Sequence, residues 1–535
     1  MTATSAPSSP SGWDQPADRA ASFPDNVLFP APRAHPWADD FPPVSRAGRN
    51  QASVLRWRAI TRLFGIFLLL FSVSFLPSIG VALYYRDGQA DAFGTTFLIT
   101  LMTGLTLWWP NRHMDAEMKV RDGFLIVTLF WVVLSLAGAL PFVLVLHLGL
   151  TDALFESVSG FTTTGATVLT GLDDLAPSIL YHRQQIQWLG GMGIIVLAVA
   201  VLPLLRVGGM QLFRAESSGV TKQEKLTPRI AHTARVLWLM YFFLTLSCAA
   251  AYWSAGMSLF DAIGHAFSTV ATGGFSTHDA SMAYFNSFEI ESIAIFFMLA
   301  GGVNFAVHFQ AWKSLSPQAY ESDPEVRVYL AIFIGATLFI ALSLYLTGFF
   351  VGAAESLRYA AFETASILTS TGFGIIDYSV WPIHIPLTLV VLAFIGGCAG
   401  STAGGIKVLR VILLVKLGLR QMRLLMHPRG VFPVRLGNQK VSTEVLFSVW
   451  GFQVLYVATA LLLTVAMMAA GLDLESAFGA VVATINLLGP GLGKVASTFA
   501  EMSPMVKWLS IFGMLVGRLE VFTLLILFMP SYWRR

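Results

Sequence analysis

Four short tracts rich in threonine, serine and glycine carry the chemistry legible in this chain. They read T-T-T-G-A (Thr162–Ala166), A-T-G-G-F (Ala271–Phe275), T-S-T-G-F (Thr369–Phe373) and N-L-L-G-P (Asn486–Pro490). They align on Gly165, Gly274, Gly372 and Gly489, at intervals of 109, 98 and 117 residues (274 − 165, 372 − 274 and 489 − 372). Twelve residues before each glycine stands an alanine (Ala153, Ala262, Ala360, Ala477), and F-E-S-V-S at Phe155–Ser159 matches F-E-T-A-S at Phe362–Ser366. Self-similarity at this spacing marks an internal repeat longer than a solenoid unit. Glycine permits backbone conformations closed to other residues and lets carbonyl oxygens approach a ligand with no side chain in the way. A ring of such carbonyls replaces the water shell of a monovalent cation. The expected ligands are Thr162, Thr163, Thr164 and Gly165; Thr272, Gly273 and Gly274; Ser370, Thr371 and Gly372; and Asn486, Leu487, Leu488 and Gly489. With one glycine per repeat, the constriction should be shorter than a multi-glycine potassium-channel filter and should discriminate less sharply.

The elements that hold these tracts must lie in a membrane. Of 535 residues 55% are hydrophobic and 12% charged, against about 25% charged in soluble domains. Ten segments reach the roughly 20 apolar residues that a span needs: near 63–84, 93–109, 123–147, 184–205, 236–256, 290–312, 328–350, 386–416, 443–470 and 505–530. Each tract, with a helix too short to span before it, falls between two of the last eight. The expected architecture is an all-α membrane protein with four span–re-entrant half-helix–span repeats around one pore, plus two extra N-terminal transmembrane helices. The corresponding divisions are a disordered tail (1–50, rich in Pro, Ser, Ala and Asp), the two extra helices (55–115), and repeats at 120–210, 230–315, 325–440 and 441–535. Arg206–Arg235 holds six basic residues and Lys407–Lys440 eight, whereas the tract regions Gly149–His182 and Met257–Glu291 hold none, and Arg358 and Lys494 are the only basic residues in the other two tract regions. Cytoplasmic loops carry the basic excess, so the tracts enter from outside and both termini lie inside. The half-helices then point their partly negative C-terminal ends at the cavity, favouring cations. Small residues also serve close helix packing in membranes, but four tracts in register on one face argue for a shared axis.

Gly396, Gly397, Gly400, Gly404 and Gly405, with Ser401 and Thr402, interrupt the 386–416 segment. Five glycines at about 1 kcal/mol each against alanine make a continuous helix costly there. That stretch, up to Lys407, should be irregular and movable, the alternative being a packing seam. Arg518, in the middle of the last expected span, carries a charge at a depth where charges are expensive and tend to be functional. It is expected to face the pore below the filter and act on the loop. Glu520 needs another partner, Lys407 or Lys416. Glu156 and Glu363 read as hydrogen-bonding groups on the half-helices, and Cys248 and Cys398 as buried packing residues without a disulfide.

Further motifs accompany the tracts: Q-W-L-G-G-M-G (Gln187–Gly193), K-L-T-P-R-I (Lys225–Ile230), G-G-F-S-T-H-D (Gly273–Asp279), G-G-C-A-G-S-T-A-G-G-I-K (Gly396–Lys407) and G-P-G-L-G (Gly489–Gly493). In combination, from about residue 55 to the end, the chain resembles the TrkH/KtrB superfamily of potassium uptake proteins, in its TrkH branch. The resemblance implies potassium as the ion bound at the filter and moved as substrate, with no cofactor in this chain. It also implies a homodimer with one pore per subunit, and a cytoplasmic TrkA-type nucleotide-binding ring that regulates it. It makes the glycine-rich loop the intramembrane gate under the filter. Two departures stand out: Leu487 replaces the usual asparagine of the fourth tract, and the N-terminal tail lies outside the pattern.

The expected function is gated, channel-like potassium uptake across the bacterial cytoplasmic (inner) membrane. The alternative is a sodium- or proton-coupled or poorly selective monovalent cation transporter. No G-x-x-x-x-G-K-[ST] or Rossmann pattern is present, so nucleotide control would come from another protein. The small net charge of +3, without a long basic arm, argues against nucleic acid. An enzyme would need convergent acids, histidines or metal ligands; Asp173 with Asp174, and His278 with Asp279, come nearest but are scattered on outer loops.

Overall fold

The computed structural model describes residues 46–113, 120–196, 226–437 and 439–534. The chain divides after Val54 into a short N-terminal unit and a large body that begins at Leu55. The expected tail up to residue 45 lies outside the described residues, as do 197–225 with most of the basic segment Arg206–Arg235. Residues 46–50, expected in the tail, open a helix instead.

Helices succeed one another along the chain: α1 (Arg46–Ser72), α2 (Phe75–Tyr85), α3 (Ala90–Trp108), α4 (Val120–Leu146), α5 (Leu150–Phe161), α6 (Pro177–Val196), α7 (Leu226–Ser254), α8 (Leu259–Ala271), α9 (Phe288–Gly301), α10 (Phe305–Ser314), α11 (Gln318–Ser322), α12 (Pro324–Leu346), α13 (Ala353–Leu368), α14 (His384–Ile395), α15 (Val408–Met426), α16 (Thr443–Ala469), α17 (Leu474–Ile485), α18 (Pro504–Arg518) and α19 (Glu520–Leu525). A two-residue antiparallel pair, Arg435–Leu436 with Gln439–Lys440, separates α15 from α16. Among the described residues six helices are long and apolar enough to cross a membrane, eight counting two bent pairs.

The four half-helices are α5, α8, α13 and α17, of 12, 13, 16 and 12 residues. At 1.5 Å per residue they fall short of a ~30 Å hydrocarbon core. Local chemistry sets their ends. The Ser258 hydroxyl accepts from Asp261 N and the Asp473 carboxylate from Ser476 N, satisfying amides that the first helical turn leaves unpaired. Their tract-side ends are buried, as irregular backbone within a bilayer must be.

Three expected spans are not straight. The 290–312 segment breaks between α9 and α10 with a 98° bend, where Asn304 Oδ1 accepts from Ala306 N and starts a new helix. The 505–530 segment turns 110° between α18 and α19, where Glu520 takes a φ of 52°. Arg518 therefore ends a helix at a corner. The 386–416 segment gives way to irregular backbone from Gly396 to Lys407. Cys248 and Cys398 are buried free thiols.

Candidate functional site

The four tracts repeat one backbone path. Two residues before each glycine the chain enters the left-handed region: Thr163, Thr272, Ser370 and Leu487 have φ of 53°, 50°, 52° and 57°. The aligned glycines do so again, with φ of 83° at Gly165, 79° at Gly274, 80° at Gly372 and 94° at Gly489. The first reversal ends each half-helix; the second needs glycine.

These glycines also lean on one another in cyclic order. A β-carbon on Gly165 would collide with the Gly273 carbonyl oxygen, one on Gly274 with that of Thr371, and one on Gly372 with that of Leu488. On Gly489 it would lie 2.7 Å from the Thr164 carbonyl oxygen. The sequence first to second to third to fourth to first closes a ring. Four chain segments 98 to 117 residues apart thus encircle a common centre.

Most tract side chains are turned into their own repeats. Thr162 Oγ1 donates to the Val158 carbonyl and Thr369 Oγ1 to that of Ala365, each at 2.7 Å. Thr162 pairs with Thr164 and Thr369 with Thr371, again at 2.7 Å. Asn486 Nδ2 donates to the Val482 carbonyl at 3.0 Å, and its Oδ1 accepts from the Tyr456 hydroxyl. The contacts from one tract to the next are therefore carbonyl oxygen against glycine. The Gly273 carbonyl differs in accepting from Gln187 Nε2 at 2.6 Å, while Gln187 Oε1 accepts from Phe275 N at 3.1 Å.

Outside the ring, buried polar groups fix the tracts. Ser268 Oγ donates to the Phe275 carbonyl and Ser366 Oγ to that of Phe373, both at 2.6 Å. The Glu156 carboxylate accepts from Val168 N and the Thr167 hydroxyl at 3.0 Å, and Glu363 accepts from Ile375 N at 3.1 Å. Both acids therefore act as hydrogen-bonding groups. Arg183 joins two tracts: its Nε donates to Glu156 Oε1 at 2.5 Å and its Nη1 to the Ser276 carbonyl at 2.8 Å, with the guanidinium 3.7 Å from the Phe275 ring centre. Sequence alone assigns no role to Arg183 or Gln187, although polar side chains in an apolar segment are a signal. On the loops that follow the first two tracts the His278 ring donates from Nδ1 to Asp173 Oδ1 at 2.5 Å, which holds that carboxyl below its usual range.

The glycine-rich segment is pressed against the ring of tracts. Gly404 N donates to the Ser370 hydroxyl at 2.5 Å, and Thr272 Oγ1 lies 3.1 Å from Thr402 Oγ1. A β-carbon on Gly404 would collide with the Asn486 carbonyl. The segment's ends cross: Ile406 N donates to the Phe394 carbonyl at 2.9 Å and Lys407 N to that of Ile395 at 3.0 Å. Gly396 faces the Gly404 carbonyl too closely for any β-carbon. Gly397, Gly400, Ser401 and Gly405 complete the segment, with Cys398 N donating to the Gly302 carbonyl at 2.8 Å. Lys407 Nζ bonds the Ala403 carbonyl within the loop.

Arg518 is buried against this segment. Its Nη1 donates to the Thr402 carbonyl at 3.1 Å and its Nη2 to the Gly190 carbonyl at 3.3 Å. Glu520 pairs with neither expected lysine; Arg410 Nη2 reaches its Oε2 at 2.6 Å. Lys416 instead donates to the Arg435 carbonyl at 2.7 Å. Among the described residues no group of three or more His, Cys, Asp or Glu side chains could hold a metal ion.

Comparison with known proteins bears on this arrangement. The TrkH family, described as cation transport proteins, matches residues 89–535. The Trk system potassium uptake protein TrkH of Salmonella typhimurium is 51% identical over 483 residues, 90% of this chain and 100% of that protein. Its namesake from Escherichia coli K12 is 50% identical over 482 residues, with the same coverage. The crystal structure of the potassium transporter TrkH from Vibrio parahaemolyticus superposes with a TM-score of 0.84 at 47% identity, covering 89% of this chain and 100% of that one. The spanning helices and a similarity that runs along about nine-tenths of the chain agree: the chain belongs to the TrkH family of cation transport proteins, integral to the membrane.

Proposed function

We propose that this chain is the ion-translocating subunit of a Trk-type potassium uptake system, passing potassium inward through a gated, channel-like pore in the bacterial cytoplasmic membrane. The observation that carries the reading is the closed ring of four glycine tracts. Main-chain carbonyls of Thr162–Gly165, Thr272–Gly274, Ser370–Gly372 and Asn486–Gly489 form the filter, aided by the C-terminal ends of α5, α8, α13 and α17. An interior-negative potential supplies about 2.3 kcal/mol per 100 mV for each potassium ion, so uptake needs no fuel site in this chain. The basic segment Lys407–Lys440 favours cytoplasmic placement of that side and of both termini. The working unit of this reading is a homodimer with a cytoplasmic TrkA-type ring; the relatives, named as parts of a Trk system, support a partner of that kind. The test is rubidium entry into vesicles containing purified protein, with sodium as competitor. Entry down the gradient that sodium inhibits weakly is expected; absence of protein-dependent entry with the loop opened overturns the reading.

The segment 396–407 with Arg518 forms the gate. Replacing Arg518 by glutamine withdraws a guanidinium from the Thr402 and Gly190 carbonyls and removes a positive charge from the cation path. A charged hydrogen bond contributes ~1.5–3 kcal/mol, so the basal rubidium leak of Arg518→Gln should rise roughly tenfold or more. An unchanged leak would make Arg518 a packing group.

Leu487, the departure in the fourth tract, takes the same left-handed turn as Thr163 and Ser370. Its side chain lies beside Gly404 and Gly517, not in the ring. Because the filter is main chain at this level, Leu487→Asn is expected to change the potassium-to-sodium ratio by less than about threefold, ~0.65 kcal/mol; competition uptake measures it.

A further inference from the structure

One carboxylate holds both arms of the loop beneath the ring. Glu325, buried in the first turn of α12, accepts at Oε1 from Ala399 N at 2.7 Å and from Leu409 N at 2.9 Å. Ala399 is in the entering arm. Leu409 is in the first turn of α15, whose amides have no acceptor within their own helix, and where the helix dipole favours a negative charge. The carboxylate is itself firmly mounted: Asp323 Oδ1 accepts from Glu325 N at 2.8 Å and Val326 N at 2.9 Å, capping α12. Just before that cap lie α10 and α11, the short helices beyond the 98° bend.

We propose that Glu325 is a positioning residue, a latch that keeps the glycine-rich loop in its buried pose against the filter. The inference rests on the gate assigned to that loop above. The bond to Ala399 adds a side-chain tie to the backbone ties at Cys398 and Gly400. Because a single oxygen serves both arms, a shift of α12 relative to α15 has to stretch one of the two bonds. Movement of α10 and α11 would reach the loop through this residue.

Cys398, next to Ala399, provides the readout. It is fully buried, and Cys248 is the only other cysteine in the chain. In a Cys248→Ala background, the rate at which a membrane-impermeant maleimide labels Cys398 from the cytoplasmic side reports release of the loop. Rubidium leak is measured in parallel. Glu325→Ala should speed labelling about tenfold or more, and Glu325→Gln, which retains an acceptor oxygen, should do so much less. Asp323→Ala removes the α12 cap that mounts Glu325 but leaves the carboxylate in place; it should lower the melting temperature and speed labelling much less than Glu325→Ala does. Equal labelling in Glu325→Ala and the parent overturns the latch, as does labelling of Asp323→Ala as fast as Glu325→Ala. Faster labelling with an unaltered leak upholds the latch and overturns the loop as gate.

Discussion

Serine at position 372 should abolish most of the preference for potassium over sodium while the protein still assembles. Gly372 has a φ of 80°, and any β-carbon there strikes the Leu488 carbonyl oxygen and comes within 2.8 Å of Pro490 Cδ. A left-handed non-glycine residue costs about 1–2 kcal/mol, and displacing the Leu488 carbonyl adds to that. With tenfold per 1.4 kcal/mol, the selectivity ratio in competition uptake should fall by roughly tenfold or more. Gly374 is a control in the same loop: its φ is not positive, and nothing lies within 4 Å of where a β-carbon would be. Gly374→Ser should therefore behave like the parent. A Gly372→Ser protein with unaltered selectivity would remove this glycine from the constriction.

The second large effect is expected at Arg183. In Arg183→Met, the buried Glu156 carboxylate keeps Val168 N and Thr167 but loses its cation. The Ser276 carbonyl loses its donor as well. Removing one member of a buried ion pair typically costs 3–5 kcal/mol, so the melting temperature of the detergent-solubilised protein should drop and uptake should fall with it. Adding Glu156→Gln removes the stranded charge and should restore part of the lost stability, because contacting residues couple. A single variant as stable as the parent, or a double variant no better than the single, would show that the pair does not hold the first two tracts together.

How much of the molecule is readable from its sequence depends on the range of the interaction. The glycine register is legible because a left-handed backbone at Gly165, Gly274, Gly372 and Gly489 leaves a local mark in residue type. The break at Gly396–Lys407 is legible for the same reason, five glycines where a helix would lose stability. The corners at Gly302–Asn304 and Leu519 are not, since an apolar run has the same composition whether straight or bent by 98° or 110°. Partners are equally hidden. Arg410 is 110 residues from Glu520, and Arg518 meets carbonyls 116 and 328 residues away. Backbone carbonyls carry no residue-type signature, so nothing in the chain's letters marks them. Glu325 escapes notice because it comes after Asp-Pro at a helix start, where an acidic residue looks like ordinary capping.

The closed circuit of glycines and carbonyls has one further implication. Each quadrant is encoded separately within a single gene, so on the function proposed above one nucleotide change would alter a quarter of the ion's coordination shell, where in a homotetramer it would alter all four quarters together. Ion preference would then be adjustable in small steps, one quadrant at a time, and the quadrants already differ, Leu487 standing beside three hydroxyl-bearing counterparts.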